Sequence, residues 1–232
     1  YAMTAITAVT AQNTCGVEGV ETLSAQFVGA QVDACLSDIG ADAVKIGMLG
    51  SPAIARLLAE RLDSFSGGIV FDPVMVATSG AVLATPETIE AFAALMNIAT
   101  LVTPNLPELE ALTGMPVGGV DEIGEAAAML AGRHDTSVLA KGGHGGGARV
   151  VDILVAPSGE AMVFDDARLP GGHTHGTGCT LSSAVATLIG HGQPLPHAVR
   201  LARQFVRAAI EAAPGFGAGN GPLGHQAVRT LA

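Results

Sequence analysis

The chain has 232 residues, 49% of them hydrophobic and 14% charged, with three cysteines and a formal net charge of −10. That balance excludes an intrinsically disordered chain and a disulfide scaffold, and no apolar run reaches the ~18 residues that a membrane span needs. Nucleic-acid binding has little electrostatic support at this charge, so an anionic ligand must be held by helix ends, backbone amides or a metal.

Ala2–Val9, small, β-branched and apolar, reads as a buried strand, and Asn13–Gly19 as the loop after it. Leu23–Ile39 carries apolar residues near helical spacing, and Ala43–Ile46 reads as a second strand closed by Gly47. Ser51-Pro52 is a helix start, with Ser at the N-cap and Pro at the first helical position, for a helix to about Phe65. The strand Ile69–Phe71 ends at Asp72-Pro73, and Thr85-Pro86 repeats the start signal for a helix to Met96. Leu101-Val102 is a short strand before Thr103-Pro104-Asn105, followed by helices at Pro107–Thr113 and Asp121–Arg133 and a strand at Ser137–Ala140. Gly142–Gly147 is a glycine loop. Val150–Val155 and Ala161–Asp165 form a hairpin, and helices at Cys179–His191 and Pro196–Ala213 precede a glycine-rich tail. Strands alternating with helices imply one α/β domain over residues 1–232, with a mainly parallel sheet covered on both faces.

In such a sheet, ligands collect at the carboxyl ends of the strands. The loops there are rich in functional groups: Thr10–Thr14, Gly47–Leu49, Asp72–Val76, Thr103–Glu108 and Lys141–His144. The strongest signal is His175-Gly-Thr-Gly-Cys179 opening an apolar helix, where unpaired amides at the positive end of the dipole suit an anion. A tight helix entry without a ligand is the structural alternative. Cys179 sits where a thiol pKa tends to fall, so it can serve as base or nucleophile. Cys15 and Cys35 read as small buried hydrophobes. Three widely spaced cysteines and no legible signal peptide fit reduced thiols in a cytosol.

No Walker A sequence occurs, and the glycines around His144 precede a strand, which rules out a dinucleotide fingerprint. Asn105 and Glu108, three apart at a helix start, suit either a hydrated magnesium ion with nucleotide phosphates or a surface cap. Asp72 stands at a strand's carboxyl end. Only two lysines occur: Lys141 can reach the same crevice and pair with phosphates, whereas Lys45 lies within a strand and reads as structural. His173, His175 and Cys179 do not match a zinc spacing.

Together these motifs resemble the hydroxymethylpyrimidine/phosphomethylpyrimidine kinases of thiamin biosynthesis, in the ribokinase-like superfamily. The matching stretches are Met3–Gly16, Phe27–Leu49, Asp72–Gly80 (DPVMVATSG), Thr103–Leu112 (TPNLPELEAL), Lys141–His144 (KGGH), Thr174–Ser183 (THGTGCTLSS) and Gly221–His225. The resemblance implies a three-layer α/β/α fold and an ATP- and magnesium-dependent kinase, cytoplasmic and homodimeric. It would phosphorylate 4-amino-5-hydroxymethyl-2-methylpyrimidine and then its monophosphate. Gly176, Thr177, Gly178 and Cys179 would supply the anion-holding amides, with Cys179 as base in the first step. Gln12, Met48 and Val76 would contact the pyrimidine. Asp72, Asn105 and Lys141 would organise the ATP phosphates, and Glu108 and Asn105 a magnesium ion through water.

Two departures bear on activity. The family's first βα unit, roughly 30 residues, precedes Tyr1, so the domain is expected to lack it. Thr78 and Ala81 replace the family's charged pair after DPVMVA. The competing readings are a pyridoxal or pyridoxine kinase of the same fold, a cysteine hydrolase using Cys179 with His175, and a catalytically silent pyrimidine-binding regulator.

Overall fold

Strands apolar at every position, rather than at alternate ones, are the sequence form of a sheet buried on both faces. The computed structural model, which describes residues 1–77 and 80–228, bears this out. A six-stranded sheet runs in the order β3 (Ala43–Ile46), β4 (Gly68–Phe71), β5 (Leu101–Val102), β6 (Ser137–Ala140), β7 (Arg149–Val155) and β8 (Ala161–Ala167). β3 to β6 are parallel neighbours, and β7 and β8 add an antiparallel hairpin.

The two-residue alternation of each strand divides the core. Ile69, Phe71, Val102, Val138, Ala140 and Ile153 pack on one face, under α2 (Pro52–Leu62), α3 (Pro86–Met96) and α5 (Val120–His134). Val70, Leu101, Leu139, Leu154 and Phe164 pack on the other, under α6 (Thr177–Gly190) and α7 (Leu195–Glu211). Because β3 to β6 are added one after another in parallel, right-handed crossovers put their connecting helices on a single face. The face left open is covered by α6 and α7, which follow the last strand. The result is the expected three-layer α/β/α architecture.

Local signals set the helix starts. Ser51 and Thr85 accept the amides of Ile54 and Thr88, with Pro52 and Pro86 opening the helices. α1 (Ala25–Asp38) is capped by Ser24 through the amide of Phe27. The first element departs from expectation. Ala2–Thr7 is not a strand; β1 (Ala8–Gln12) pairs antiparallel with β2 (Val17–Thr22) in a separate, mostly exposed ribbon. Asn13 makes its turn, accepting the amides of Cys15 and Gly16 at 2.8 and 3.1 Å. Alternation of β-branched residues marks a strand but does not say which sheet receives it. Cys15, on that turn, is exposed rather than buried. Thr78 lies outside the described residues.

Candidate active site

Because β4, β5 and β6 are adjacent and parallel, the residues that leave their carboxyl ends stand side by side: Asp72, Thr103 and Lys141. Asp72 is 1% exposed. Its Oδ1 accepts the Lys141 ammonium at 2.7 Å and the Thr103 hydroxyl at 3.0 Å, and the Ser182 hydroxyl stands 3.3 Å from Oδ2. The backbone fixes both ends of this pair: Asp72 N–H donates to Ile46 and Lys141 N–H to Pro104. Burial raises the Asp72 pKa, but Lys141, Lys45 and the two side-chain hydrogen bonds outweigh it and hold the carboxyl below its ordinary range. Burial likewise opposes the charge of Lys141, yet Asp72, Glu108 and Cys179 keep the ammonium above its ordinary value.

The opposite wall is the start of α6. Gly176, the N-cap, has φ of +79°, a left-handed conformation that side chains rarely adopt. Thr177 N–H donates to Thr174 and Thr180 N–H to Gly176, and among the described residues the amides of Gly178 and Cys179 between them have no protein acceptor. A methyl at Gly178 would lie 3.1 Å from the Lys141 ammonium and 3.8 Å from Asp72 Oδ2. The helix start and the ion pair therefore face one another closely, and glycine is what keeps the space between them open. Cys179 is exposed at this rim.

Asn105 and Glu108 form a reciprocal capping box at the start of α4 (Leu106–Thr113), with Asn105 Oδ1 accepting Glu108 N–H at 2.9 Å and Glu108 Oε2 accepting Asn105 N–H at 2.7 Å. This is no surface cap. Glu108 is 4% exposed, and burial lifts its carboxyl above the ordinary range. Its carboxylate is close enough to Lys141 and Asp72 to interact electrostatically with both. The glycine loop after Lys141 is held from outside by Arg168, whose guanidinium donates to the carbonyls of Gly143, Gly145 and Gly147 at 3.0, 2.7 and 2.9 Å.

The three expected pyrimidine contacts come from separate elements. Gln12 ends β1, Met48 follows β3 with its carbonyl bound by the Thr7 hydroxyl, and Val76 follows β4 in a bridge to Val82. Among the described residues no hydrogen bond joins them to one another or to Cys179. Nor does one join Cys179 to His175, so the pair needed for a cysteine hydrolase is not assembled. No cluster of three or more metal-ligating His, Cys, Asp or Glu side chains occurs among the described residues.

Three side chains of the cluster escaped the sequence reading. Thr103 and Ser182 are neutral hydroxyls, common everywhere, and only the fold brings them to Asp72. Lys45 did leave a signal, as the one charge in an apolar strand. Its register opposite Val70 places it on the α6 side, its ammonium lies against Gly47, and its charge acts on Asp72.

The family model for phosphomethylpyrimidine kinase matches residues 1–224. A hydroxymethylpyrimidine/phosphomethylpyrimidine kinase of Rhizobium meliloti is 43% identical over 97% of this chain and 86% of its own length. The chain also matches a thiamine biosynthesis multifunctional protein of Corynebacterium efficiens, at 40% identity over 98% of the chain, but spans only 31% of that longer protein. Among solved structures, a phosphomethylpyrimidine kinase from Clostridium difficile superposes with a TM-score of 0.79 at 37% identity, covering 90% of this chain and 87% of its own. A pyridoxal kinase from Staphylococcus aureus in complex with ADP gives 0.90 at 29% identity, covering 100% and 85%. With both sequence and structure in agreement over nearly its whole length, the chain belongs to the phosphomethylpyrimidine kinase family.

Proposed function

We propose that this protein transfers phosphate from ATP to the hydroxymethyl group of 4-amino-5-hydroxymethyl-2-methylpyrimidine, and then a second phosphate to the resulting monophosphate. The observation that carries this reading is the placing of the Lys141 ammonium between the Asp72 carboxylate and the free amides that open α6. Phosphoryl transfer asks a protein mostly for positioning and for neutralisation of charge on the moving group. The Gly176–Cys179 turn meets that charge with amides and the helix dipole, and Lys141 with a fixed cation. Cys179, exposed at the rim, takes the hydroxyl proton in the first step. The second nucleophile is a phosphate, already ionised, and needs less help. Gln12, Met48 and Val76 hold the ring.

Asp72 and Glu108 are hard oxygen donors, the kind magnesium prefers. Both are already bonded to protein groups, which suits a hydrated ion bound partly through water and partly through the nucleotide phosphates, rather than an all-protein cage. Bound there, magnesium would neutralise phosphate charge, with Asn105 and Glu108 holding it through water and Asp72 and Lys141 organising the nucleotide phosphates. The partners on this reading are small molecules, and the protein works in the cytoplasm as a homodimer. No helix among the described residues is long and apolar enough to cross a membrane.

The likeness to the Staphylococcus aureus pyridoxal kinases supports a second reading, turnover of pyridoxal at the same site. Purified protein should convert hydroxymethylpyrimidine to the diphosphate with ATP and magnesium, and pyridoxal more slowly. Pyridoxal phosphorylation without diphosphate formation from the monophosphate would replace the proposal with the vitamin B6 reading. Pyrimidine binding by calorimetry without ATP consumption would leave a silent binder.

A further inference from the structure

Behind the glycine loop lies an ionic group with no part in the site described above. The β6–β7 ladder runs as far as Ala140 opposite Ile153, so the next residues, Lys141 and Gly142, leave the sheet beside Asp152 and Val151. At Gly142 the ladder's hydrogen bond is continued by a side chain: Gly142 N–H donates to Asp152 Oδ1 at 2.7 Å. Gly142 itself is wedged against β7, where a side chain would collide with the Val151 carbonyl. The other oxygen of Asp152 pairs with Arg203 of α7, which also reaches Asp166 Oδ2 at 2.6 Å.

The register explains why these groups meet. Asp152 stands opposite Phe164 on β8, and Asp166 lies two residues further along the same face. The Arg203 guanidinium lies 5.4 Å from the centre of the Phe164 ring, over that face. Asp152 and Arg203 are 5% and 7% exposed. A buried ion pair is weak as a source of stability, since apolar residues of similar volume serve at least as well, and its best-attested use is to fix one geometry among several. What this one fixes is the amide next to Lys141.

We infer that Asp152 is a positioning residue for the Lys141–Gly142 turn, with Arg203 as the counter-charge that keeps its carboxylate aimed at the Gly142 amide. On this inference, which rests on the assignment of Lys141 to the ATP phosphates, the two charges act on catalysis without touching substrate. Asp152 sets where the lysine backbone leaves β6, and Asp72 sets where its ammonium ends. A misplacement of ~1 Å there costs a large share of the rate.

The test is made on the full chain with Asp152→Asn, which keeps the size of the side chain, and with Arg203→Gln and Arg203→Lys. Hydrogen exchange read by mass spectrometry should show faster exchange of the Gly142–Gly147 amides in Asp152→Asn and Arg203→Gln. The KM for ATP should rise about 10-fold in both, with the KM for the pyrimidine unchanged, and Arg203→Lys should recover most of the loss. Leu154→Ala, a cavity on the same strand whose register partners are Leu139 and Met162, controls for simple destabilisation. The inference is overturned if loop exchange in Asp152→Asn matches wild type, or if Leu154→Ala moves loop exchange and the ATP KM as much. Should Asp152→Asn not fold, Arg203→Gln decides alone by the same readings. Lys141→Ala separates this inference from the reading beneath it. An unchanged KM for ATP in that variant removes the phosphate assignment of Lys141, while loop exchange still judges whether Asp152 holds the turn.

Discussion

Cys179 and Lys141 carry different kinds of chemistry on the same rim. A thiolate at a helix start can accept a proton, and the residue's own amide can hold an anion, so replacing the side chain removes only the first capacity. Cys179→Ala should therefore slow phosphorylation of the hydroxymethyl group by about 10²-fold, in the range of general-base contributions. Phosphorylation of the monophosphate should fall much less. Single-turnover assays on each substrate separate the two, and equal losses would mean that the substitution disturbs the anion-binding turn instead of removing a base. Lys45 illustrates the limit of residue-level reading. Its strand context suggested a structural charge, and only its pairing opposite Val70 shows that this charge acts on Asp72.

At the scale of the element, the entry to α6 is the part most tightly specified by local sequence. Gly176 is left-handed, and a methyl at Gly178 would crowd the Lys141 ammonium at 3.1 Å. Forcing a β-carbon into a left-handed residue costs roughly 1–2 kcal/mol, and relief of that strain would turn the amides away from the anion. Gly176→Ala should thus lower the unfolding free energy by about that amount, measured in urea, while kcat/KM falls by about 10²-fold or more. A stability loss with unchanged kcat/KM would show that the turn serves packing alone. The start of α4 is a contrasting case. Asn-x-x-Glu was readable as a capping box or as a metal motif, and the structure shows the box, buried and beside Asp72 and Lys141, so one pair of residues can serve both roles.

For the molecule as a whole, the buried charges make stability depend on pH in a definite direction. Folded Asp72 ionises below its ordinary value of 3.8, so the unfolded chain binds more protons just below that pH, and stability falls as the pH drops through the window. Glu108 opposes it: its folded value lies above 4.5, so its contribution declines as the pH rises from there toward that raised value. Lys141, raised above 10.5, stabilises fully below that pH and loses its contribution as the pH climbs through its folded value. Asp72→Asn should flatten the acid limb below pH 3.8 in a plot of melting temperature against pH. It should also cost about 3 kcal/mol near neutrality, because Lys141 loses its buried partner. An acid limb as steep as wild type would mean that other carboxylates govern unfolding there.

Much of this protein was legible in the chain alone, because the signals concerned are local. The Ser-Pro and Thr-Pro helix starts, the short apolar strands and the Gly-Thr-Gly turn each follow from the conformational limits of a few neighbouring residues. The motif order was enough to suggest the kinase family. What local sequence could not carry was partnership across distance. That the first strand joins a ribbon outside the main sheet, that Thr103 and Ser182 bind Asp72, and that Asp152 reaches Gly142 and Arg203 all depend on strand order and register. Nearby residues determine backbone geometry through sterics and caps, whereas the neighbours of a buried charge are chosen by how the sheet is assembled. Only the tertiary structure shows how a chain with a net charge of −10 concentrates its two lysines around one carboxylate, at the place where we propose that phosphate is held.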